Sequence, residues 1–467
     1  MANTVVDEIA GAPKRRRIWG WWFFDWASQP YNTLMLTFIF GPYFAKVASA
    51  QFMAEGLTRE AANAQAQALW GYGLTVAGLT IALLAPVLGA IADSSGRRMP
   101  WIWAFSLAYV LGAAGTWYTA PEGFSAVWAL VFFGIGFIGM EFATIFTNSY
   151  LPELGRKSQL GRISGSGWAF GYLGGVIALA IMLLAFQAGD EGRTMAGIPP
   201  VFGLDPATGE DTRAVGPFTA IWYAVFMVPF FLWVRDTPGS GHGNGARRAL
   251  RDLGRTITGL PRHPSLLAYL GSSMFYRDAL NGMYTFGGIY AAGVLEWSIM
   301  EICIFGIIAA ISGAFFTWVG GYADSAFGPK PVIVVCCLTL MGTAVLIVTL
   351  SPTSVLGVSV AEGSALPDIM FYVAGILIGA AGGSLQSASR NMLTRQGNPA
   401  RMTEAFGLYA LSGKATTFVA PALIAVATDL SGNQRLGVTP LIGLFALGLI
   451  LLIWVRAEGD HGEGDHA

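Results

Sequence analysis

The sequence predicts an all-α polytopic membrane protein with twelve transmembrane helices in two pseudo-symmetric six-helix bundles. Three observations lead there. Of 467 residues, 54% are hydrophobic and only 12% charged, against roughly 25% charged in soluble domains, too few to cover a water-facing surface. The apolar residues fall in blocks of about twenty, the length that crosses ~30 Å of hydrocarbon. A short pattern, Gly-x-x-x-Asp-Ser, occurs once in each half of the chain.

Helix 1 is expected over 18–47, behind the basic run Lys14-Arg15-Arg16-Arg17. Such a run also starts a signal peptide. This apolar stretch is too long for a signal core, however, and has no small-residue cleavage site, so a retained helix is expected. Helices 2 to 6 follow over 68–92, 101–119, 126–149, 164–186 and 218–234. Helices 7 to 12 are expected over 265–293, 300–322, 331–350, 367–389, 404–428 and 437–455. The two bundles then occupy 1–234 and 265–456, with a cytoplasmic linker at 235–264 and an acidic tail at 457–467. Helices are the expected form because open strands leave backbone groups unsatisfied in lipid, and the alternation of a β-barrel is absent. The linker is Gly/Ser-rich from Asp236 to Gly243 and then basic, a stretch expected to lie along the membrane surface.

Basic residues set the orientation. One side holds twenty: Lys14 to Arg17, Arg97, Arg98, Arg156, Lys157, Arg162, Arg235, Arg247, Arg248, Arg251, Arg255, Arg262, Lys330, Arg390, Arg395, Arg401 and Arg456. The other side holds five: Lys46, Arg59, Arg193, Arg213 and Arg435. This bias places both termini in the cytoplasm and fits an even number of spans.

Other classes are disfavoured. A formal net charge of −1 gives no support to nucleic-acid binding. The cysteines, Cys303, Cys336 and Cys337, lie in apolar segments and read as packing residues. His242, His263, His461 and His466 lie in polar loops or the tail, so no histidine-ligated metal is expected within the membrane. Gly134-x-Gly136-x-x-Gly139 lies inside an apolar helix, not between a strand and a helix. The Gly407 to Ala415 stretch is one residue too long for a P-loop and lacks its Ser/Thr. Neither an enzyme nor a cofactor is expected.

The two halves share a loop. Gly89-Ala-Ile-Ala-Asp93-Ser-Ser-Gly96-Arg97-Arg98 follows helix 2, and Gly320-Gly-Tyr-Ala-Asp324-Ser-Ala-Phe-Gly328-Pro-Lys330 follows helix 8. Gly89 allows close helix approach, and Asp93 is expected to pair with a cation or cap the helix beginning near Pro100. The first loop resembles the helix 2–3 signature of the major facilitator superfamily, with Ser94 where the family usually has a cation. Within that superfamily the chain resembles the bacterial relatives of the fungal vacuolar amino-acid effluxer linked to autophagy. The resemblance rests on Asp25-Trp26-Ala27, Asn148-Ser-Tyr-Leu-Pro-Glu153, the glycine-rich run Gly165 to Gly175, Phe286 to Ala291, and Gly407 to Lys414. It departs at Ser28-Gln29-Pro30, where Pro30 is expected to kink helix 1. What the resemblance implies is the major facilitator fold, a bacterial inner-membrane location and solute efflux, with amino acids as the solute class. The implied partners are a small-molecule solute, a proton or sodium ion and the lipid bilayer, with the protein a monomer.

Charges inside helices cost several kcal/mol unless they face a partner or water. Five stand out: Asp25 in helix 1, Glu141 in helix 4, Arg277 and Asp278 in helix 7, and Lys414 in helix 11. Gln29, Asn32, Asn148 and Asn281 complete the expected solute and ion-coupling set, with Gln386 and Ser412 as further polar residues. Trp26, Tyr31, Tyr276 and Tyr284 are available for apolar or cation–π contacts. Asp25 or Glu141 is expected to carry a coupled proton. The gating set is Gly89, Asp93, Gly96, Arg97, Arg98, Gly320, Asp324, Gly328 and Lys330. The glycine spacings 167/171/175 and 375/379/383 read as helix-contact faces. The rival readings are a transporter-like sensor or lipid-handling protein and, more remotely, an intramembrane enzyme.

Overall fold

The computed structural model describes residues 2–189, 192–236, 246–297, 299–361 and 363–460. The Gly/Ser stretch of the linker, the end of the acidic tail with His461 and His466, His242 and the Cys303 side chain lie outside the described residues.

Ten helical stretches there are long and apolar enough to cross a membrane: Lys14–Ala54, Arg59–Ser95, Ala126–Asn148, Lys157–Phe186, Glu210–Trp233, Ile304–Phe327, Pro329–Thr349, Leu366–Gln396, Pro399–Ser431 and Gln434–Leu452. They correspond to expected helices 1, 2, 4, 5, 6, 8, 9, 10, 11 and 12. The other two expected segments are also helical. Helix 3, Met99–Gly115, has 17 residues, about 26 Å at 1.5 Å per residue. Helix 7, Pro264–Val294, has 31 residues but carries Arg277, Asp278 and several serines. Several helices overrun their apolar cores, because a helix continues past the bilayer wherever its backbone is satisfied. A two-strand hairpin, Ser354–Val355 with Val358–Ser359, joins helices 9 and 10, turning through positive φ at Leu356 and Gly357.

Helix 1 is interrupted where Pro30 predicts. Ala2–Pro30 is α-helical, Tyr31–Phe38 is π-helical, and Phe40–Ala54 resumes the α-helix. Proline has no N–H to give the carbonyl four residues back. That carbonyl belongs to Trp26, and the Trp222 indole of helix 6 donates to it at 3.2 Å.

The chain packs as two compact units. The first comprises Met1–Leu83, Gly96–Thr147 and Phe170–Gly239. In it helix 3 meets helix 6 through stacked Tyr109 and Tyr223 rings, centroids 3.8 Å apart. Helix 1 meets helix 4 through Tyr31, whose hydroxyl donates to the Phe133 carbonyl at 2.6 Å. Helix 5 lays Gly171, Gly174 and Gly175 against Asp25, Trp26 and Gln29 of helix 1, where a β-carbon would be crowded at Gly171 and would clash at Gly174 and Gly175.

The second unit comprises Leu84–Ser95, Asn148–Ala169 and Ser240–Ala467. The ends of helices 2, 4 and 5 therefore pack with the C-terminal half. Gly375 and Gly379 of helix 10 bring it against Phe305 and Ala309 of helix 8. Cys336 and Cys337 are buried in helix 9, as packing residues should be. Helix 11 is discontinuous, with halves Met402–Lys414 and Val419–Ser431. A linker helix, Ala246–Gly259, docks Ala249 and Leu253 against Ala90, Leu270 and Leu408.

Candidate functional site

The break in helix 11 organises the first cluster. Over residues 415–418 the chain turns without helical continuity. Threonines cover part of the loss: the Thr416 hydroxyl donates to the Ser412 carbonyl at 3.2 Å and Thr417 to Lys414 at 3.2 Å. Two adjacent residues of helix 7 serve the two ends. Arg277 donates from Nη1 to the Tyr409 carbonyl at 3.0 Å, and its guanidinium lies 4.0 Å from the Tyr409 ring centroid. It rests on Gly413, where a β-carbon would fall 2.5 Å from Nη1. Asp278, 2% exposed, accepts the Ala420 N–H at 2.9 Å. Its other oxygen, Oδ1, is buried with no hydrogen-bond partner among the described residues. The signs match the half-helix dipoles, cation at the carbonyl end and anion at the amide end. Lys414 closes the first half. Asn281, one turn from Asp278, is exposed, and its carbonyl accepts the Thr285 hydroxyl at 2.9 Å.

A second cluster lies in the other unit. Asp25, Gln29 and Asn32 recur along helix 1, each partly buried. Asp25 and Gln29 face the helix 5 glycines. Asn32 points its amide at the Met140 sulfur, 4.0 Å away, beside half-buried Glu141 of helix 4.

The repeated loops form the third group, in the second unit apart from Gly96 to Arg98. Asp93 accepts the N–H groups of Thr403 at 3.3 Å and Glu404 at 2.8 Å. It thus caps the start of helix 11, where the sequence expectation was a cation partner or the helix near Pro100. Gly89 is the enabling residue, since a β-carbon there would sit 2.6 Å from the Thr403 carbonyl oxygen. The start of helix 3 is capped instead by Asp236, which accepts from Arg98 N–H and Met99 N–H at 3.1 Å each. Arg98 itself approaches Asp236 at 3.9 Å. Gly96, next to Arg97, takes φ +65° in this turn.

The second copy repeats the theme against helix 5. Asp324 lies at Gly161, whose β-carbon would meet its carboxyl, and accepts from Asn391 at 2.8 Å. Ser325 accepts the Arg162 N–H at 2.8 Å. Gly320 packs on Ser384, and Gly328 turns at φ +84°. Lys330 donates to the Val455 carbonyl at 2.7 Å.

Asn148 is placed with this group, not with the helix 7 charges. Its Oδ1 accepts from Arg390 Nη1 at 3.0 Å. Arg390, read from sequence as a loop cation, is 4% exposed inside helix 10. It also donates to the Ser164 hydroxyl at 3.0 Å and the Ser164 carbonyl at 2.8 Å, with Trp168 beneath it at 5.6 Å. Arg390 and Tyr409 are the residues the sequence reading missed. The polar run Ser387-Ala-Ser-Arg390-Asn391, still in helical phase after an apolar span, was the available signal.

The comparisons agree with this architecture. A family model described as "Vacuole effluxer Atg22 like" matches residues 13–464. The uncharacterized MFS-type transporter YxiO of Bacillus subtilis is 24% identical over 450 residues, 94% of each chain. Autophagy-related protein 22 of Cryptococcus neoformans is 24% identical over 314 residues, 65% of this chain and 51% of the relative; the match thus spans about half of that fungal protein. Among solved structures, the proton:xylose symporter XylE bound to 6-bromo-6-deoxy-D-glucose superimposes with a TM-score of 0.68 at 13% identity, covering 95% of each chain. At that identity the likeness shows the major facilitator fold alone.

Proposed function

The chain belongs to the vacuole effluxer Atg22-like family, and on that premise we propose that it is a secondary active transporter exporting a small zwitterionic solute, such as an amino acid, by alternating access. Family and fold are those of a multi-pass membrane transporter and not of an enzyme. The observation that carries the solute class is the interrupted helix 11 with Arg277 and Asp278 at its two halves. Transporters of repeat architecture bind solutes where half-helix ends and unwound backbone face a cavity. Opposite charges on consecutive residues, with Lys414 close by in sequence, suit a carboxylate and an ammonium in one molecule. Asp278 Oδ1 supplies an acceptor for the ammonium. The coupling ion is assigned to Asp25 or Glu141, on helices 1 and 4. The two bundles are taken as 1–234 and 265–456, both termini in the cytoplasm of a bacterial cell, and the protein as a monomer.

The test is transport by the reconstituted full chain, screened over amino acids and short peptides under imposed proton and sodium gradients. Gradient-driven movement of a zwitterion that Arg277→Ala and Asp278→Asn each abolish is the expected result. Movement of neutral or apolar solutes alone overturns the solute class. Specific binding with no transport favours a sensor.

A further inference from the structure

The linker helix Ala246–Gly259 divides into three stripes. Ala249 and Leu253, four residues apart, face inward onto Ala90, Leu270 and Leu408. Its acid, Asp252, is engaged locally, 3.3 Å from Arg255 and 3.6 Å from Arg401. Arg247, Arg248, Arg251 and Arg255 are all exposed. Between the inward and basic stripes lie Leu250, 45% exposed, and Ile257, 44% exposed, seven residues apart and so on one line of the helix. The alignment of two large aliphatic residues beside an arginine row gives the helix the two-sided polarity of an interfacial segment.

The inward contacts fix the setting. Ala90, Leu270 and Leu408 lie at or near the ends of helices 2, 7 and 11, so the linker helix sits at the rim of the hydrocarbon and not out in bulk water. A helix with a basic stripe, an adjoining aliphatic line and a rim position has the chemistry of an interfacial anchor. We propose that this helix binds anionic phospholipid headgroups of the leaflet at the basic end. Arg247, Arg248 and Arg251 contact the phosphates, and Leu250 and Ile257 enter the acyl boundary. The charge complementarity is four exposed arginines to one locally engaged acid, and the occupant is the leaflet itself. Because the same helix touches Leu408 and, through Asp252, Arg401, lipid charge at this surface bears on the start of helix 11.

The full chain in nanodiscs tests this without reference to transport. Hydrogen exchange of the amides in 247–258 is compared in phosphatidylcholine discs and in discs containing phosphatidylglycerol. Exchange should be slower by at least about fivefold with the anionic lipid, the effect of a single well-placed cation at ~1 kcal/mol. The difference should shrink in high salt. R247Q/R248Q/R251Q should lose it, and R247K/R248K/R251K should keep it, which separates loss of charge from a damaged fold. Equal exchange in both discs for the natural chain, or an undiminished lipid effect in the glutamine variant, overturns the proposal. So does equal protection by inorganic phosphate over phosphatidylcholine discs, which would make the ligand a free anion.

Discussion

Asp278 of helix 7 accepts the backbone N–H of Ala420 at 2.9 Å, so one carboxylate closes the restart of a different, interrupted helix. Its neighbour Arg277 holds the Tyr409 carbonyl on the other side of the interruption. Consecutive helical positions point about 100° apart, which lets one short stretch of helix 7 reach both halves of helix 11.

Asp278→Asn keeps an oxygen for the Ala420 N–H and removes the charge, whereas Asp278→Leu removes both. Transport should fall to background in each, while only the leucine variant should melt several degrees lower, having lost a charge-assisted cap worth about 1–2 kcal/mol. Proteoliposome flux and a melting curve in detergent read these separately. Normal flux in the asparagine variant would remove the carboxylate from the mechanism.

A methyl group at Gly413 meets the Arg277 guanidinium. Gly413→Ala should therefore push Arg277 off Tyr409 and reproduce most of the transport defect of Arg277→Ala, with little loss of stability since alanine favours helix by ~1 kcal/mol over glycine. Parallel flux assays compare them, and an active Gly413→Ala protein would show that Arg277 works from elsewhere.

Arg390 uses Nε, Nη1 and Nη2 to reach Ser164 and Asn148. Lysine is a point charge and cannot reproduce that fork. Arg390→Lys should lower stability by about 2 kcal/mol and Arg390→Ala by about 3 kcal/mol or more, each lost charged hydrogen bond being worth ~1.5–3 kcal/mol. Thermal unfolding in one detergent measures both; a lysine variant as stable as the parent contradicts the need for the fork.

Removing the cap of helix 11 has a local readout. In Asp93→Ala the amides of Thr403 and Glu404 should exchange about tenfold faster, matching a cap of ~1–2 kcal/mol. Asp93→Asn should recover much of the protection. Unchanged exchange at both amides in the alanine variant would mean that the cap contributes nothing.

Asp25→Asn and Glu141→Gln test coupling. In whichever position carries the ion, the variant should still equilibrate solute down its own gradient but fail to concentrate it against one. Counterflow and gradient-driven accumulation distinguish these activities. If both variants accumulate solute on a proton gradient as the parent does, neither acid carries the proton.

The helical fold was legible because a bilayer imposes a length and a polarity on every crossing segment. The Pro30 interruption was legible for the same local reason, a missing N–H. What escaped were contacts across hundreds of residues. Asp93 was expected to pair with a cation or cap the nearest helix start, yet it accepts two N–H groups 310 and 311 positions away. Arg390 looked like a loop cation because hydropathy falls off at Ser387, while the helix itself runs on to Gln396. The helix 11 break had one clue, Pro421, since a proline removes a backbone N–H and favours a kink or a first-turn position. The clue sits six residues beyond the point where the helix parts, behind an apolar run that conceals it.

The bond from Trp222 to the Trp26 carbonyl carries a consequence for biosynthesis. The two residues are 196 positions apart, about 10–40 s of synthesis at 5–20 residues per second. During that interval the Trp26 carbonyl lacks both the N–H that Pro30 cannot supply and the Trp222 indole. The contact that ties the Trp26 carbonyl to helix 6 therefore forms only after most of the N-terminal half has been made.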